Sequence, residues 1–542
     1  MYKYIVFFIF LTILLDANIN ITQKWLEDKP RSFTKDFYIY RYLNQNITPS
    51  QAIWALGEAR YVNNKLLRRY ANKLKDKDTS KVISCMRYSG AKLISKDADC
   101  IEVGLSSYKA TKLSHKQLKI AIDKLKDKYP LSAKRLKIIS STLPFIELIK
   151  SDNKVFYATF NQVGGKFRAK YFNYPLPKKF IQQLKKDKRD FAQTVKLIVT
   201  NPKLNKIQLS LLDIDTKGLY HKTLFLLAIN AIKHQKEKIA LKYLNLAYQN
   251  AYYKFDKDKV RFWQYQLTKD KKYLQELAKS WDINIYSLIA KEQLNITPKN
   301  IRFHSKAIQT NNNSKYNIQD PFAWLKVLKD TKRIDTKKLN KYKNIFTSKE
   351  TQGHLSFLYE KYKRYRISYY AMPYENLISK YSKHRQALIN AIARQESRFI
   401  PTSISTSYAL GVMQIMPFLS RELAKELKEP YDIDKQLQAP TNIRYANKHL
   451  NYLERKLSNV LFIAYAYNGG IGFTNRMLKS GLFTKGKYEP FLSMELVPYD
   501  ESKKYGKKVL ANYIIYYNHI NPKDQLKIST ELKKIKSPYL LK

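Results

Sequence analysis

A glutamate followed by a long stretch without acids is the first place in this sequence where chemistry could be done. In HRQALINAIARQESRFIP, which begins at His384, Leu388, Ile392 and Glu396 recur at i, i+4 and i+8. That period predicts a helix whose apolar stripe carries Glu396 on its flank, beside Ala391 and Gln395. A carboxyl group in a partly dry setting is penalised in its charged form. Its pKa therefore rises toward the range where it can give up a proton near neutrality. The alternative is a boundary glutamate that reaches water, since Pro401 stops the helix soon afterwards. Two further segments bear on the choice. Gly411 to Pro417, GVMQIMP, joins a glycine to two methionines and a glutamine, and between Ser397 and Leu419 only Arg398 is charged. Such a stretch can wall a cleft with polarizable surface while Gln414 offers both a donor and an acceptor. Met413 and Met416 could equally be core. Phe462 to Gly470, FIAYAYNGG, reads as an apolar helix closed by Asn-Gly-Gly, a good left-handed cap. Tyr465 and Tyr467 fall on different faces of it, so one can pack while the other, with Asn468, faces a site.

The elements that must position these residues are helices. A chain of 542 residues exceeds the size of a single growing core, so two or more domains are expected. Only 14 glycines and 18 prolines interrupt abundant Lys, Leu, Ile and Ala, which favours an all-α architecture. From 18 to 300 the sequence reads as successive amphipathic helices, clearest as a hairpin between Tyr220 and Tyr253, and stacked hairpins form superhelical arcs. The polar run QTNNNSKYN lies in a linking segment over 301–375, where Pro373 biases Met372 away from helix. A domain carrying the three segments follows over 376–522, and 523–542 reads as a basic tail.

The net charge of +56 would suit a polyanion. The basic residues are spread along most of the chain, however, as on solvated helix faces, and no nucleic-acid partner is expected. Acidic peptides or an anionic lipid surface would be served by the same field. Lys3 and the apolar run Ile5 to Leu15, broken only by Thr12, match a secretory signal over 1–17 and are too short for a comfortable span. An uncleaved anchor, and with it peripheral membrane association, is the alternative. Cys85 and Cys100 could close a small disulfide loop in an oxidising compartment or stay as buried thiols. Eight scattered histidines and two cysteines give no metal site, and no cofactor is expected.

RQES, GVMQIMP and AYNGG, in this order and spacing, resemble the soluble lytic murein transglycosylases. MELVPYDESKKYGKKVL, Met494 to Leu510, is similar to that family's last motif, and the resemblance covers about residues 372 to 520. It implies a goose-lysozyme-like catalytic domain preceded by a ring-shaped α-superhelical domain, which NIYSLIAKEQL also resembles. Carried over by position, it makes Glu396 the catalytic residue. It puts Ser405, Gln414, Met416, Tyr467 and Glu495 around a peptidoglycan glycan strand or its peptide stem, with Asn468 in the same motif. It also implies a periplasmic enzyme whose protein partners the sequence does not name. Two departures stand out: Asn468-Gly469-Gly470 replaces the usual Asn-Ala-Gly, and Tyr408 sits where a glycine is common. A glycosidase ordinarily uses two carboxyl groups. No acid lies between Glu396 and Glu422, although Asp432 or Glu495 could fold back. The family's solution needs one carboxylate, because the substrate's own hydroxyl is the nucleophile. A hydrolytic muramidase of the same fold and a non-catalytic glycan-binding scaffold are the alternatives.

Overall fold

Polar caps punctuate the amphipathic runs. Thr48, Ser114 and Asn284 each precede a run and close a capping box with the residue three positions on, Gln51, Gln117 and Ser287. Backbone N–H groups that a helix start leaves unpaired are thereby bonded. The computed structural model describes residues 19–74, 77–303 and 316–540, and over these the chain is all-α. The described residues hold only two strands, Ile301–Arg302 and Ser368–Tyr369, each of two residues and paired in parallel. The expected signal segment 1–17 lies outside the described residues, as does most of the polar run after residue 303. Among the described residues no helix is long and apolar enough to cross a membrane. No group of three or more His, Cys, Asp or Glu side chains among them could hold a metal ion.

The hairpin read between Tyr220 and Tyr253 is formed by His221–Lys233 and Glu237–Asn250. Leu227 and Ala231 of the first helix and Ala240 and Leu244 of the second are buried. Gln235, with φ of 57°, makes the left-handed turn between them. Lys254–Thr268, Lys271–Ala278 and Ile285–Gln293 pack on in succession. Further upstream, Cys85 of Lys77–Arg87 and Cys100 of Ala98–Gly104 are joined as a disulfide, with 15 residues of separation and Cα atoms 5.1 Å apart. Closing a loop of that length restricts the unfolded chain by about 3 kcal/mol. Reductant, or Cys85→Ser with Cys100→Ser, is expected to lower stability to denaturant by about that amount, with unchanged helix content by circular dichroism.

The arc of helices starts and finishes on the C-terminal region. At its start, Phe37, Tyr38 and Leu66 share a core with Phe322, Tyr408, Leu410 and Leu437. The rings of Phe37 and Tyr40 lie 5.7 and 5.1 Å from that of Tyr408. Arg41 forks onto Asp434 with bonds of 2.5 and 2.9 Å. Further along, Lys196 pairs with Asp500 at 2.8 Å and Glu237 accepts from Lys487 at 2.8 Å and from Tyr488 at 2.6 Å, and at its finish Tyr286 of Ile285–Gln293 bonds Glu495. The helices therefore form a closed circuit. The stretch expected as a basic tail is docked rather than free. Ile528, Leu532 and Ile535 recur at i, i+4 and i+7 and are buried, and Glu292 accepts from the backbone N–H of Ile528 at 2.7 Å. Three apolar side chains at helical spacing outweigh the lysines around them.

Candidate active site

Three helices meet beneath the site. Lys383–Glu396 runs through the core with every residue from Arg385 to Arg394 buried, Leu388 and Ile392 among them. The pattern predicts a one-sided stripe, yet the polar face is buried too, because its arginines find anions. Arg385 bonds Glu454 at 2.5 Å, and Arg394 bonds Glu360 at 2.6 Å and the Tyr369 carbonyl at 2.5 Å. Val460–Gly469 and Asp500–Ile520 cross at Gly506, where a Cβ would stand 2.3 Å from the Tyr465 ring. Only glycine allows that approach.

Glu396 is the last residue of its helix and half-buried. Tyr505 Oη donates to its Oε1 at 2.7 Å. Burial pushes the Glu396 carboxyl up to about 7, partly opposed by the Tyr505 bond and reinforced by the charge of Glu501. Burial and the Glu396 charge hold the Tyr505 phenol well above its ordinary value, so it stays a donor. Beyond the helix the chain turns sharply through Arg398 and Phe399, with φ of 57° and 66°. Ser397 Oγ donates to the Val412 carbonyl at 2.7 Å and ties this turn to the GVMQIMP loop.

That loop is held from behind by Asn442, fully buried, which accepts from Met413 N–H at 2.7 Å and donates to the Leu410 carbonyl at 3.0 Å. Gly411 has φ of 83°, and a Cβ there would meet the Gln436 carbonyl at 2.3 Å. Tyr467, half-buried, donates to the Met413 carbonyl at 2.8 Å, while Tyr465 is fully buried. Gln414 spends its Nε2 on the carbonyls of Ser403 and Gly411 at 2.9 and 2.8 Å, which leaves its Oε1 as the acceptor for a ligand. Met413 is core and Met416 is half-buried. Ser405 Oγ accepts from the Ala409 N–H at 2.9 Å and shapes the turn that contains Tyr408, whose φ is 67°. The departure from glycine at Tyr408 thus keeps the left-handed backbone, and its ring packs on the first helices of the arc.

Asn468 accepts from Ser502 at 2.7 Å and donates to Glu501 at 3.2 Å. Glu501 is exposed and lies one turn before Tyr505 on the same helix. The acids that might have folded back are engaged elsewhere. Asp432 accepts from the Asp434 N–H at 2.8 Å, at the seam with the arc. Glu495 does not face the groove as its motif implied: it is 2% exposed and pairs with Lys507 at 2.8 Å and with the Tyr286 hydroxyl. Both partners bond its Oε1, and its burial keeps the carboxylate away from solvent. Asn442, Glu501 and Tyr505 escaped the reading of the sequence. For Tyr505 a signal was present, since it lies within the quoted motif four residues after Glu501.

Residues 374–488 match the family model described as the Transglycosylase SLT domain. The chain is 33% identical over 156 residues to the soluble lytic murein transglycosylase of Salmonella typhimurium, covering 28% of this chain and 24% of that protein. It is 32% identical over 169 residues to the soluble lytic murein transglycosylase of Escherichia coli, covering 30% and 26%. The aligned segment thus spans about a quarter of the length of these relatives. Over 94% of this chain and 90% of the other, the fold is similar to that of the X-ray structure of an inactive mutant of the lytic transglycosylase Slt from Pseudomonas aeruginosa. The TM-score is 0.50 and the identity 16%.

Proposed function

We propose that this protein is a lytic transglycosylase that cuts peptidoglycan strands at the β-1,4 bond between MurNAc and GlcNAc without consuming water. The observation that carries the reading is the Glu396 carboxyl, half-buried, poised at about 7 and held by a single phenol. Near neutrality such a group populates both forms, as one residue must if it is first acid and then base. Protonated Glu396 gives its proton to the glycosidic oxygen as the bond to C1 breaks. The resulting carboxylate takes the proton of the C6 hydroxyl of the same MurNAc, and that oxygen closes on C1. The product is a 1,6-anhydro-MurNAc end. Because the nucleophile is already attached, orientation replaces a bimolecular encounter. Tyr505 positions the carboxyl, and Gln414, Met416, Tyr467 and Asn468 line the groove that receives the glycan. Residues 376–522 form the catalytic domain, and the signal-like 1–17 would deliver it to the periplasm for cell-wall turnover.

The hydrolytic reading has one observation in its favour: Glu501 is near enough for its charge to raise the Glu396 pKa. Its exposure and its bond to Asn468 leave it poorly placed to drive a water. Mass spectrometry of products from purified sacculi decides. Anhydro ends are expected, and reducing MurNAc ends, one water heavier, would overturn the proposal.

A further inference from the structure

A second recess opens where the arc, the linking helices and the catalytic domain meet. It has a volume of about 330 Å³, within the range that holds small ligands. Neither Glu396 nor Tyr505 lines it. Its mouth carries three exposed rings, Tyr253, Trp281 and Tyr365, which are 63%, 37% and 48% exposed. Its walls carry more positive than negative charge, with five cationic side chains against Glu360 and Asp282. Four of the five have a carboxylate: Lys254 pairs with Asp258 at 2.7 Å, Lys507 with Glu495, and Arg394 and Arg398 share Glu360, one on each oxygen, at 2.6 and 2.9 Å.

The fifth is Lys508, which is exposed. Lys508 has no hydrogen-bond or ion-pair partner among the described residues. Two guanidinium groups thus share the single charge of Glu360, and Arg398 Nη1 makes no aligned hydrogen bond there, which leaves one positive charge in excess at that carboxylate. Asp282 opposes them weakly: burial raises its pKa, and Asn284 bonds its carboxyl at 2.9 Å. Arg398 and Lys508 line the same recess, and burial disfavours the charged form of both, followed by the Arg394 guanidinium for Arg398 and the Arg398 guanidinium for Lys508, with Glu360 and Asp282 partly offsetting these. An arriving oxyanion would relieve that repulsion. Neutral sugar alone would leave Lys508 and the excess positive charge beside Glu360 unanswered.

We infer that this recess binds a carboxylate-bearing peptide, with the carboxylate between Arg398 and Lys508 and the peptide planes against Trp281 and Tyr253. Resting on the proposed function, the natural ligand is the peptide stem of the glycan being cut. The site would then hold the stem on the far side of the Glu396 helix terminus from the groove.

The test uses the full chain carrying Glu396→Gln, so that binding is read without cleavage and does not depend on the catalytic proposal. Calorimetry compares three probes: an N-acetylated stem-type peptide with free carboxylates, the same peptide fully amidated, and inorganic phosphate. The carboxylate peptide is expected to bind, with amidation or Lys508→Ala weakening it at least about tenfold, the scale of one charge-assisted bond. Trp281→Ala is expected to weaken both peptide forms. Absence of peptide binding, or binding indifferent to both amidation and Lys508→Ala, overturns the site. Phosphate binding as tightly as the peptide, and equally sensitive to Lys508→Ala, makes it a free-anion site and overturns the peptide assignment.

Discussion

Glu396→Gln is expected to lower cleavage of purified sacculi by roughly 10²- to 10⁴-fold or more, the contribution of a positioned acid and base. The amide keeps the shape of the side chain and can still accept from Tyr505, so the fold and retention on sacculi should persist. The variant should also gain stability in alkali. The folded pKa of Glu396, about 7, lies above its ordinary 4.5. Protonated Glu396 therefore stabilises the fold fully below pH 4.5, and that contribution is lost as the pH rises through 7. At pH 8 the wild type keeps a half-buried carboxylate that glutamine lacks. After discounting for the solvent it still meets, the variant should be about 1–2 kcal/mol more stable at pH 8, with the gap closing below pH 5. In the active enzyme, kcat/KM should fall tenfold per pH unit above about 7, as the acid is lost. Wild-type turnover by the variant would remove Glu396 from the chemistry. An unchanged stability gap across pH would remove the desolvation argument.

The second large effect is expected far from the bond being cut. Glu495, Lys507 and Tyr286 form a buried cluster that joins the last helix of the arc to Asp500–Ile520, with Lys507 donating to Tyr286 at 2.9 Å. Burial alone would favour the neutral acid, but the Lys507 and Lys259 charges hold the Glu495 carboxyl below its usual range, so it is ionised. Glu495→Ala strands the Lys507 ammonium without an anion and is expected to destabilise the protein by about 3–5 kcal/mol. Lys507→Met together with Glu495→Leu removes both charges and should recover most of that loss, since a buried pair is seldom better than matched apolar packing. Equilibrium urea unfolding of both variants checks this. A single variant as stable as wild type would mean that the arc is not anchored here. Tyr505 precedes Lys507 by two residues on the same helix, so loosening the anchor should also disturb the hold on Glu396.

Much of this arrangement was legible locally. Leu388, Ile392 and Glu396 announce their helix because period and burial agree, and KTLFLLAINAIKHQ announces a hairpin for the same reason. What escaped depends on neighbours distant in sequence. Nothing within Met494 to Leu510 tells a glutamate facing a groove from one that meets Tyr286, more than two hundred residues upstream. Asn442 reads as an ordinary polar residue of an amphipathic helix until the loop above it needs a donor and an acceptor. The terminal Ile528, Leu532 and Ile535 did carry a periodic signal, which the surrounding lysines obscured.

Tyr408 completes the packing of Phe37 and Tyr40 once the turn ahead of the GVMQIMP loop has been made. Phe37 and Tyr40 find their partner more than 360 residues later. At ~5–20 residues per second, these helices wait tens of seconds after synthesis with an aromatic face uncovered. Long separation adds little loop-closure entropy, since each doubling costs only about 0.6 kcal/mol. The delay is therefore one of time and not of equilibrium, and for that interval the aromatic face of Phe37 and Tyr40 lacks its Tyr408 cover.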